Sequence, residues 1–335
     1  MVTLTRLRLA HPGLRPMNPF RDWGGVAQLM RVAFQSEASP STLPFFPDWP
    51  LWKWVSPLAG LVEWLGVETP EQMLGYVWEE AGQIVGNVTL GLSDARAGAW
   101  LLSNVAVHPA YRRRGIARAL VDASIQMVRH YSGRYLLLQV QSDNWGARHL
   151  YEVTGFRTLE QTSEFYGANV AMAAPHPIPT AGGFTLAPPE RAQWMAVRAL
   201  AAAHLPAELQ AYRHSLAGLF NVPHQPGWPA RVMDLSASVQ RLNWCLLRGQ
   251  TVCGGMAARA QLGWGTHRVG VYVAPAYRGP AEDLLTAQAV QQLRRYASQR
   301  AQFVIPAGYA ELADSLRRYG FQETRRLDLM ALDLS

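Results

Sequence analysis

Residues Asn104–Ala117 read NVAVHPAYRRRGIA, and this stretch decides how the rest of the chain is interpreted. Its first part, Asn104–Val107, is short, apolar and β-branched, which is typical of a buried strand. His108-Pro109 ends the strand, and three arginines then lead through Gly115 into a segment with helical apolar spacing. A strand, a basic glycine turn and a helix N-terminus together predict a diphosphate site, because free backbone amides and the helix dipole favour an anion.

The same turn fits a known signature. Arg112-x-x-Gly115-x-Ala117 resembles the Q/R-x-x-G-x-G/A motif of the GCN5-related N-acetyltransferases (the GNAT superfamily), whose loop binds the pyrophosphate of acetyl-CoA. Residues 138–156 resemble the later acetyl-CoA motif of that family. The residues that carry this second likeness are Leu138, Val140, Asn144, Ala147, Leu150, Tyr151, Gly155 and Phe156. The resemblance covers residues 1–172, and locally it extends to the ribosomal-protein N-terminal acetyltransferases, whose substrate is not carried over.

Length and composition limit the possible domain number and classes of site. The chain has 335 residues, which predicts about two domains, and 49% of them are hydrophobic, which is enough for packed cores. Its two cysteines, Cys245 and Cys253, exclude a disulfide framework or a Cys/His metal site, and we expect both to be small core residues. The net charge of +7 comes almost entirely from scattered arginines, so it does not favour nucleic-acid binding, although it would suit anionic CoA.

The sequence predicts a cytoplasmic protein that does not cross a membrane. Met1–Leu9 alternates polar and apolar residues and has no signal-peptide core. The longest apolar candidate, Trp49–Val67, is interrupted by Lys53 and Glu63, so it falls short of the ~18 apolar residues that a spanning helix needs.

Hydrophobic periodicity predicts alternating strands and helices. The predicted strands are Leu4–Leu9, Tyr76–Trp78, Ile84–Leu90, Trp100–Val107, Tyr135–Val140, Phe156–Tyr166 and Asn169–Met172. The predicted helices are Trp23–Phe34, Leu58–Leu65, a segment from Ile116 to about Tyr131, and one that ends at Thr154. The aromatic loop Ser36–Pro57 is expected either to wall an acceptor pocket or to cover the core.

The chain then repeats itself. Gly82-Gln83-x-Val85, Val107-x-Pro109-Ala110-Tyr111-Arg112 and Gly155-Phe156 recur in the same order, beginning at Gly249, Val273 and Gly320. The predicted fold class is therefore α/β, with two tandem GNAT-type domains, each a mixed, mostly antiparallel central sheet flanked by helices. The predicted domains are 1–172 with intact acetyl-CoA motifs, a Pro/Gly linker at 173–183, and a degenerate GNAT-like domain at 184–335.

The second copy departs from the first where the anion would bind. After Arg278 it reads GPAED at 279–283, so either Ala281 replaces the signature glycine or the loop is shortened. The proline in this stretch has no amide to donate, and the two acidic residues bring negative charge to the phosphate position. Leu316 stands where the first copy has Tyr151. We therefore expect this copy to be structural and not to bind acetyl-CoA.

The resemblance implies a set of site residues in the first copy. Loop amides would hold the pyrophosphate, and the strand before the loop, splayed from its neighbour, would pair with the pantetheine arm and polarise the thioester carbonyl. Asn144 would bond the cofactor arm, and Tyr151 would be the general acid toward sulfur. The predicted cofactor-binding residues are Val105, Val107, Arg112, Arg113, Arg114, Gly115, Ile116, Ala117 and Asn144. Structural alternatives remain open: Tyr151 as a core tyrosine, Asn144 as a helix N-cap, and Ile116 as a packing residue.

No general base is assigned from the sequence. Many relatives carry a glutamate on the strand before the loop, but residues 99–104 contain none. The base could instead be one of four other carboxylates, Glu79, Glu80, Glu160 and Glu164, or the proton could leave through water.

The predicted function is an N-acetyltransferase that moves an acetyl group from acetyl-CoA to a primary amine of a small molecule or peptide, by direct attack in a ternary complex. No metal, nucleic acid or membrane is expected, and the oligomeric state stays open because an internal pair can take the place of a homodimer. Two alternatives remain. One is a tandem acetyltransferase that resembles mycothiol synthase, and the other is a non-catalytic acyl-CoA sensor or interaction protein.

Overall fold

The computed structural model describes residues 11–34, 74–94, 98–171, 183–203, 238–263 and 265–335. Within these ranges the chain forms twelve strands and six α-helices. The strands are β1 (Leu14–Pro16), β2 (Leu74–Glu80), β3 (Gln83–Asp94), β4 (Ala99–Val107), β5 (Tyr135–Gln141), β6 (Arg157–Gly167), β7 (Phe184–Ala187), β8 (Val239–Arg248), β9 (Thr251–Gln261), β10 (Thr266–Val273), β11 (Arg300–Pro306) and β12 (Gln322–Asp333). The helices are α1 (Pro19–Ala33), α2 (Ile116–His130), α3 (Trp145–Val153), α4 (Arg191–Ala203), α5 (Pro280–Leu293) and α6 (Ala310–Arg318).

Most predicted elements that fall on described residues are confirmed, and one is wrong. Residues 169–171 form a turn where a strand was predicted. The amide of Val170 donates to the carbonyl of Gln299, and this bond lies outside any ladder. The side chain of Val170 is nevertheless buried, which explains why the apolar pattern suggested a strand. The predicted strand at 4–9, the aromatic loop at 36–57 and the predicted helix at 58–65 lie outside the described residues.

Helix α2 owes its position to its apolar stripe and to a glycine in the sheet beneath it. Ile116, Leu120 and Met127 are spaced for one helix face, and all three are buried. A Cβ at Gly86 of β3 would lie 2.8 Å from Ile116 and 3.1 Å from Leu120. The absence of a side chain at Gly86 therefore allows the first turns of α2 to pack directly on the strand.

Unit 1 is the compact body drawn from Met1–Val140, Asn144–Thr158 and Leu329–Ser335. Its strands follow the order β1-β2-β3-β4-β5, and the last part of β12 lies next to β5. Antiparallel ladders join β1 through β4, whereas β4 and β5 are parallel. Alternation along the strands gives the sheet two buried faces, because Val77 packs with α1 and Val88 packs with α2.

Unit 2 is drawn from Gln141–Asp143 and Leu159–Asp328. Its strand order is β12-β6-β11-β10-β9-β8-β7. The β10–β11 ladder is parallel, and the other ladders from β6 to β7 are antiparallel. The core of this unit is built on α5, whose two sides are both buried, and on Phe303 and Phe321, whose rings meet edge to face at 4.9 Å.

The units do not follow the two halves of the sequence. Strand β6 follows α3 in the first half, yet its residues 162–167 pair with β11 in unit 2. Strand β12 ends the second half, yet its residues from Leu329 onward belong to unit 1, where Met330 is fully buried in the core with α2. Each unit is therefore completed by the last strand of the other half of the sequence. The boundaries of the two units thus differ from those of the predicted domains 1–172 and 184–335.

Met330→Ala should test whether the C-terminal strand belongs to the core of unit 1. We expect a loss of about 2–5 kcal/mol in the free energy of unfolding, because the variant leaves a cavity against α2. Chemical denaturation followed by tryptophan fluorescence measures this loss. Met195→Ala is the matched control, since Met195 is 70% exposed and its truncation should change stability by no more than about 0.5 kcal/mol. Equal effects of the two variants would contradict the assignment of Met330 to the core.

Candidate active site

Strand β4 leaves its parallel partner after three residues. The β4–β5 register runs from Ala99↔Tyr135 to Leu101↔Leu137 and goes no further, although both strands continue. Val105 and Val107 lie beyond the last pair, half-buried against the α2 core. A gap therefore opens between the two strands on the side where β4 runs into the arginine loop.

A β-bulge lies within the separated part of β4. Between the pairs Asn87↔Ala106 and Thr89↔Ser103, β4 advances by three residues while β3 advances by two. Asn104 adopts a left-handed conformation with φ of +54°, which asparagine tolerates better than most residues. Sequence reasoning missed this feature, and the polar residues Asn87 and Thr89 in an otherwise apolar strand were the available signal.

The loop that follows presents the start of α2 without a cap. A single 3-10 turn, Pro109–Tyr111, is followed by left-handed residues at Arg113 (φ +64°) and Gly115 (φ +80°). Gly115 is the N-cap of α2, and no side chain caps the helix there. The first amides of an α-helix have no partner within the helix, and residues 112–115 are exposed. The loop thus offers free donors and a positive dipole end to an anion.

The three loop arginines differ in the contacts that their side chains make. Arg112 turns back and donates to the carbonyl oxygens of Val107 (3.3 Å) and Ala33 (3.1 Å), so it fastens the loop to β4 and to the end of α1. Arg114 donates to the carbonyl of Ala110 and lies over the Tyr111 ring at 4.8 Å. Within the described ranges, Arg113 alone of the three has no hydrogen bond or ion pair. Its guanidinium is therefore wholly uncommitted within those ranges, a difference among the three that the run of arginines did not reveal.

Asn144 and Tyr151 both lie on α3. Asn144 is its N-cap, and the side-chain oxygen accepts from the amide of Ala147 at 3.1 Å, so the structural role considered for this residue is present. Tyr151 is 6% exposed and meets Phe156 edge to face at 5.7 Å.

The structure brings the predicted site residues into one unit. Ile116 and Tyr151 are buried in the same apolar cluster, and Val105 and Val107 pack against it. Ile116 is 2% exposed, so its side chain packs while its backbone amide faces the loop end of the helix. The end of β4, the start of α2 and α3 are thus neighbours around one core, as a cofactor lying along β4 would require.

The four carboxylates considered as general bases fall into two groups. Glu79 and Glu80 belong to unit 1, where Glu79 is held by Arg15 at 2.6 Å and by Arg21 at 2.8 Å. Glu80 is half-exposed and lies 3.8 Å from Arg114. Glu160 and Glu164 belong to unit 2, where Glu164 is buried and paired with Arg325 at 2.5 Å. Glu79 and Glu164 are thus engaged in short ion pairs, and the structure singles out none of the four carboxylates as the base.

In the second copy, the helix start that corresponds to the start of α2 is capped by a side chain of the helix itself. Gly279, the N-cap of α5, directly follows Arg278, so the loop is two residues shorter than the one between Arg112 and Gly115. The structure thus favours a shortened loop over a simple replacement by Ala281. The carboxylate of Glu282 is fully buried, accepts from the Gly279 amide at 2.6 Å and from the Tyr309 hydroxyl at 2.7 Å. A side-chain carboxyl group of the helix itself thus occupies the N-terminus of α5.

Asp283 does not share this role. It pairs with Arg318 of α6 at 2.6 Å, on the surface side of α5. Both acidic residues lie in the first turn of α5, but only Glu282 accepts from the N-cap amide, which corrects the expectation that both occupy the phosphate position.

Burial raises the pKa of Glu282, and the hydrogen bonds from Tyr309 and Gly279 lower it only in part. Since the pKa is higher in the folded state, the wild type should lose stability as the pH rises from about 4.5 through the folded pKa. Glu282→Gln keeps one of the two acceptor oxygens, does not titrate, and should flatten this dependence. Glu282→Ala should cost about 1–3 kcal/mol at low pH, because it removes the acceptor of two hydrogen bonds, and the cost should fall as the pH rises.

Thermal denaturation of the three proteins across the pH range from about 4 to 8 measures both effects. Parallel pH profiles for the wild type and Glu282→Gln would show that Glu282 does not titrate with folding. A cost for Glu282→Ala no greater than that for Glu282→Gln would contradict the capping role.

In the described residues, no three or more histidine, cysteine, aspartate or glutamate side chains are grouped so that they could hold a metal ion. No described helix is both long enough and apolar enough to span a membrane.

Comparison with known proteins supports the interpretation of this region. Residues 32–156 match the sequence model of the acetyltransferase (GNAT) family. Over 69 residues the chain is 35% identical to GCN5-related N-acetyltransferase 4, chloroplastic, of Arabidopsis thaliana. That match covers 21% of this chain and 24% of the plant protein, so the chain spans about a quarter of this curated relative.

Two solved structures resemble nearly the whole chain. A tandem GNAT protein from the clavulanic acid biosynthesis pathway, solved without AcCoA, has a TM-score of 0.59 and 16% identity, with 96% of this chain and 98% of that one covered. A GCN5-related N-acetyltransferase from Sphaerobacter thermophilus has a TM-score of 0.61 and 16% identity, with 96% of both chains covered. At these identities the likeness shows the fold, including its tandem arrangement. The matched residues 32–156 contain β4, the arginine loop and α3, so the part of the chain that holds the candidate site is similar to the acetyltransferase (GNAT) family.

Proposed function

We propose that the chain transfers an acetyl group from acetyl-CoA to a primary amine, and that the reaction takes place in unit 1. The observation that carries this proposal is the uncapped start of α2, placed at the end of a strand that has separated from its neighbour. A diphosphate fits there because the loop supplies free amides, a dipole and the guanidinium of Arg113. The corresponding helix start of unit 2 already holds Glu282, so one CoA site per chain is expected.

The proposed mechanism needs few groups. The pyrophosphate lies against the amides of residues 113–117, and the pantetheine arm runs along the open side of β4 toward Val105. A backbone N–H at the bulge donates to the thioester oxygen and stabilises the negative charge that develops as the amine attacks. The amine nitrogen bonds to the carbonyl carbon, the C–S bond breaks, and the thiolate takes a proton from the Tyr151 hydroxyl. The attacking nitrogen loses its proton to water, and water returns a proton to the Tyr151 phenolate, since the structure singles out no carboxylate for this step.

Calorimetric titration with acetyl-CoA tests the cofactor site. We expect one site per chain in the wild type and no binding in Gly115→Glu, because a carboxylate at the helix start repels the diphosphate. Gly249→Glu is the matched control. Gly249 also has a positive φ and free space around its Cβ, but it lies in the β8–β9 turn of unit 2.

Each other outcome of the titration has a definite meaning. Two sites per chain would contradict the closure of the second copy by Glu282. No binding by the wild type would overturn the proposed transferase. Loss of binding in both glycine variants would show that backbone strain, rather than charge at the loop, is responsible.

Tyr151→Phe tests the proposed acid. The substitution keeps the ring that packs on Phe156 and removes only the hydroxyl, so we expect unchanged acetyl-CoA affinity and turnover lower by about 10–10³-fold. Turnover is measured as thiol release from acetyl-CoA with an amino sugar, a polyamine and a peptide with a free N-terminus. Tyr76→Phe serves as the control, because Tyr76 is equally buried in the same core. Normal turnover in Tyr151→Phe would exclude the proposed role.

A second candidate is a non-catalytic acyl-CoA sensor, and one observation favours it. Strand β4 carries no carboxylate, and Glu79 and Glu164 are both held in ion pairs. This alternative predicts that the wild type binds acetyl-CoA at one site and releases no thiol with any of the amines. The two experiments above therefore distinguish a transferase from a sensor.

A further inference from the structure

The further inference concerns Asn87, a polar residue buried beneath the bulge of β4. Asn87 lies on β3 and is 0% exposed. Its Nδ2 donates to the carbonyl oxygen of Asn104 at 2.9 Å, while its contact with Thr89 Oγ1 is long at 3.5 Å. Within the described structure its Oδ1 has no partner. The bond to the bulge carbonyl is thus the main interaction of a side chain that is costly to bury.

This bond fixes the direction of the next amide. The Asn104 carbonyl and the Val105 N–H belong to one peptide group, and the chain has no cis peptide bonds in its described residues. In a planar trans peptide these two groups point in opposite directions. Because Asn87 holds the carbonyl, the Val105 N–H points away from Asn87. Val105 has no partner in the β3 register, and the β5 register ends at Leu101, so this N–H faces the open side of β4.

Unit 2 provides an internal comparison. The pair Val107↔Gly86 of the first copy corresponds to Val273↔Gly254, so Gly255 stands where the first copy has Asn87. There the β9–β10 register runs without interruption from Arg268 to Val273, and the bulge is absent. The buried amide and the bulge therefore occur together in the unit with the open loop. Both are missing from the unit whose helix start is closed.

We propose that Asn87 is a positioning residue, which holds the Asn104 carbonyl so that the Val105 N–H is aimed at the thioester oxygen of acetyl-CoA. This inference rests on the proposed function, since a donor at Val105 matters only if the thioester lies along β4. Asn87 itself touches neither the cofactor nor the amine. Its effect is exerted through the backbone of the bulge.

The test uses acetyl-CoA labelled with ¹³C at the thioester carbonyl and bound to the full-length protein. A hydrogen bond to the carbonyl oxygen polarises the bond and moves the ¹³C resonance downfield of its free position. We expect a downfield shift in the wild type and its loss in Asn87→Leu, with the Kd for acetyl-CoA close to that of the wild type. With an amine that supports turnover, kcat should fall by about tenfold or more while the KM for acetyl-CoA stays near its wild-type value.

Thr89→Val is the matched control. It alters the same buried polar cluster but leaves the Asn87–Asn104 bond in place, so the carbonyl shift should persist. Should Asn87→Leu fail to fold, Asn87→Ser gives the same test, because its shorter side chain ends before the carbonyl.

The outcomes separate this inference from the proposed function. A full carbonyl shift in a folded Asn87 variant would overturn the positioning role, as would a wild type that binds acetyl-CoA without any carbonyl shift. Loss of the shift in Thr89→Val as well would assign the effect to the cluster as a whole and overturn the specific role of Asn87. A wild type that does not bind acetyl-CoA at all refutes the proposed function itself, and the titration detects that result first.

Discussion

The amides at the start of a helix need acceptors, and this requirement is met in opposite ways in the two copies of the fold. In unit 1 the start of α2 is exposed, Gly115 lacks a side chain, and no residue caps the helix. In unit 2 the buried carboxylate of Glu282 accepts from the start of α5 and is itself held by Tyr309. The helix start that is open to a ligand in one copy is occupied in the other by a side-chain carboxyl group of the helix itself.

The strand that precedes the helix also differs between the two units. Strand β4 must stay paired with β3 while it leaves β5, and the bulge at Asn104 allows this because it frees one peptide group from the ladder. Strand β10 keeps a regular register with β9, and no side chain like that of Asn87 lies beneath it. An open loop would be of little use without a strand that has a free donor beside it. The bulge and the uncapped helix are therefore best understood as two parts of one arrangement.

Much of the fold could be predicted from the sequence, since strands such as Tyr135–Val140 and the α2 pattern are strongly periodic. The tandem organisation was visible in the recurring Val-x-Pro-Ala-Tyr-Arg segment. The bulge was not predictable, because Asn87 and Asn104 lie on different strands and meet only when the register is known. Burial of Glu282 was equally hidden, since a sequence shows an acidic residue but not whether it folds back onto its own helix.

The strand exchange explains why a copy with a closed helix start still matters to the unit with the open one. A sequence repeat suggests two self-sufficient halves, yet Met330, near the end of the second half, is buried in the core on which α2 rests. The segment that provides Met330 is the end of β12, whose earlier residues belong to the sheet of unit 2 and are held there by Arg325 on Glu164. Because Met330 packs in the same cluster as Ile116 and Leu120, the second half of the sequence helps to hold α2, whose first amides form the proposed anion site.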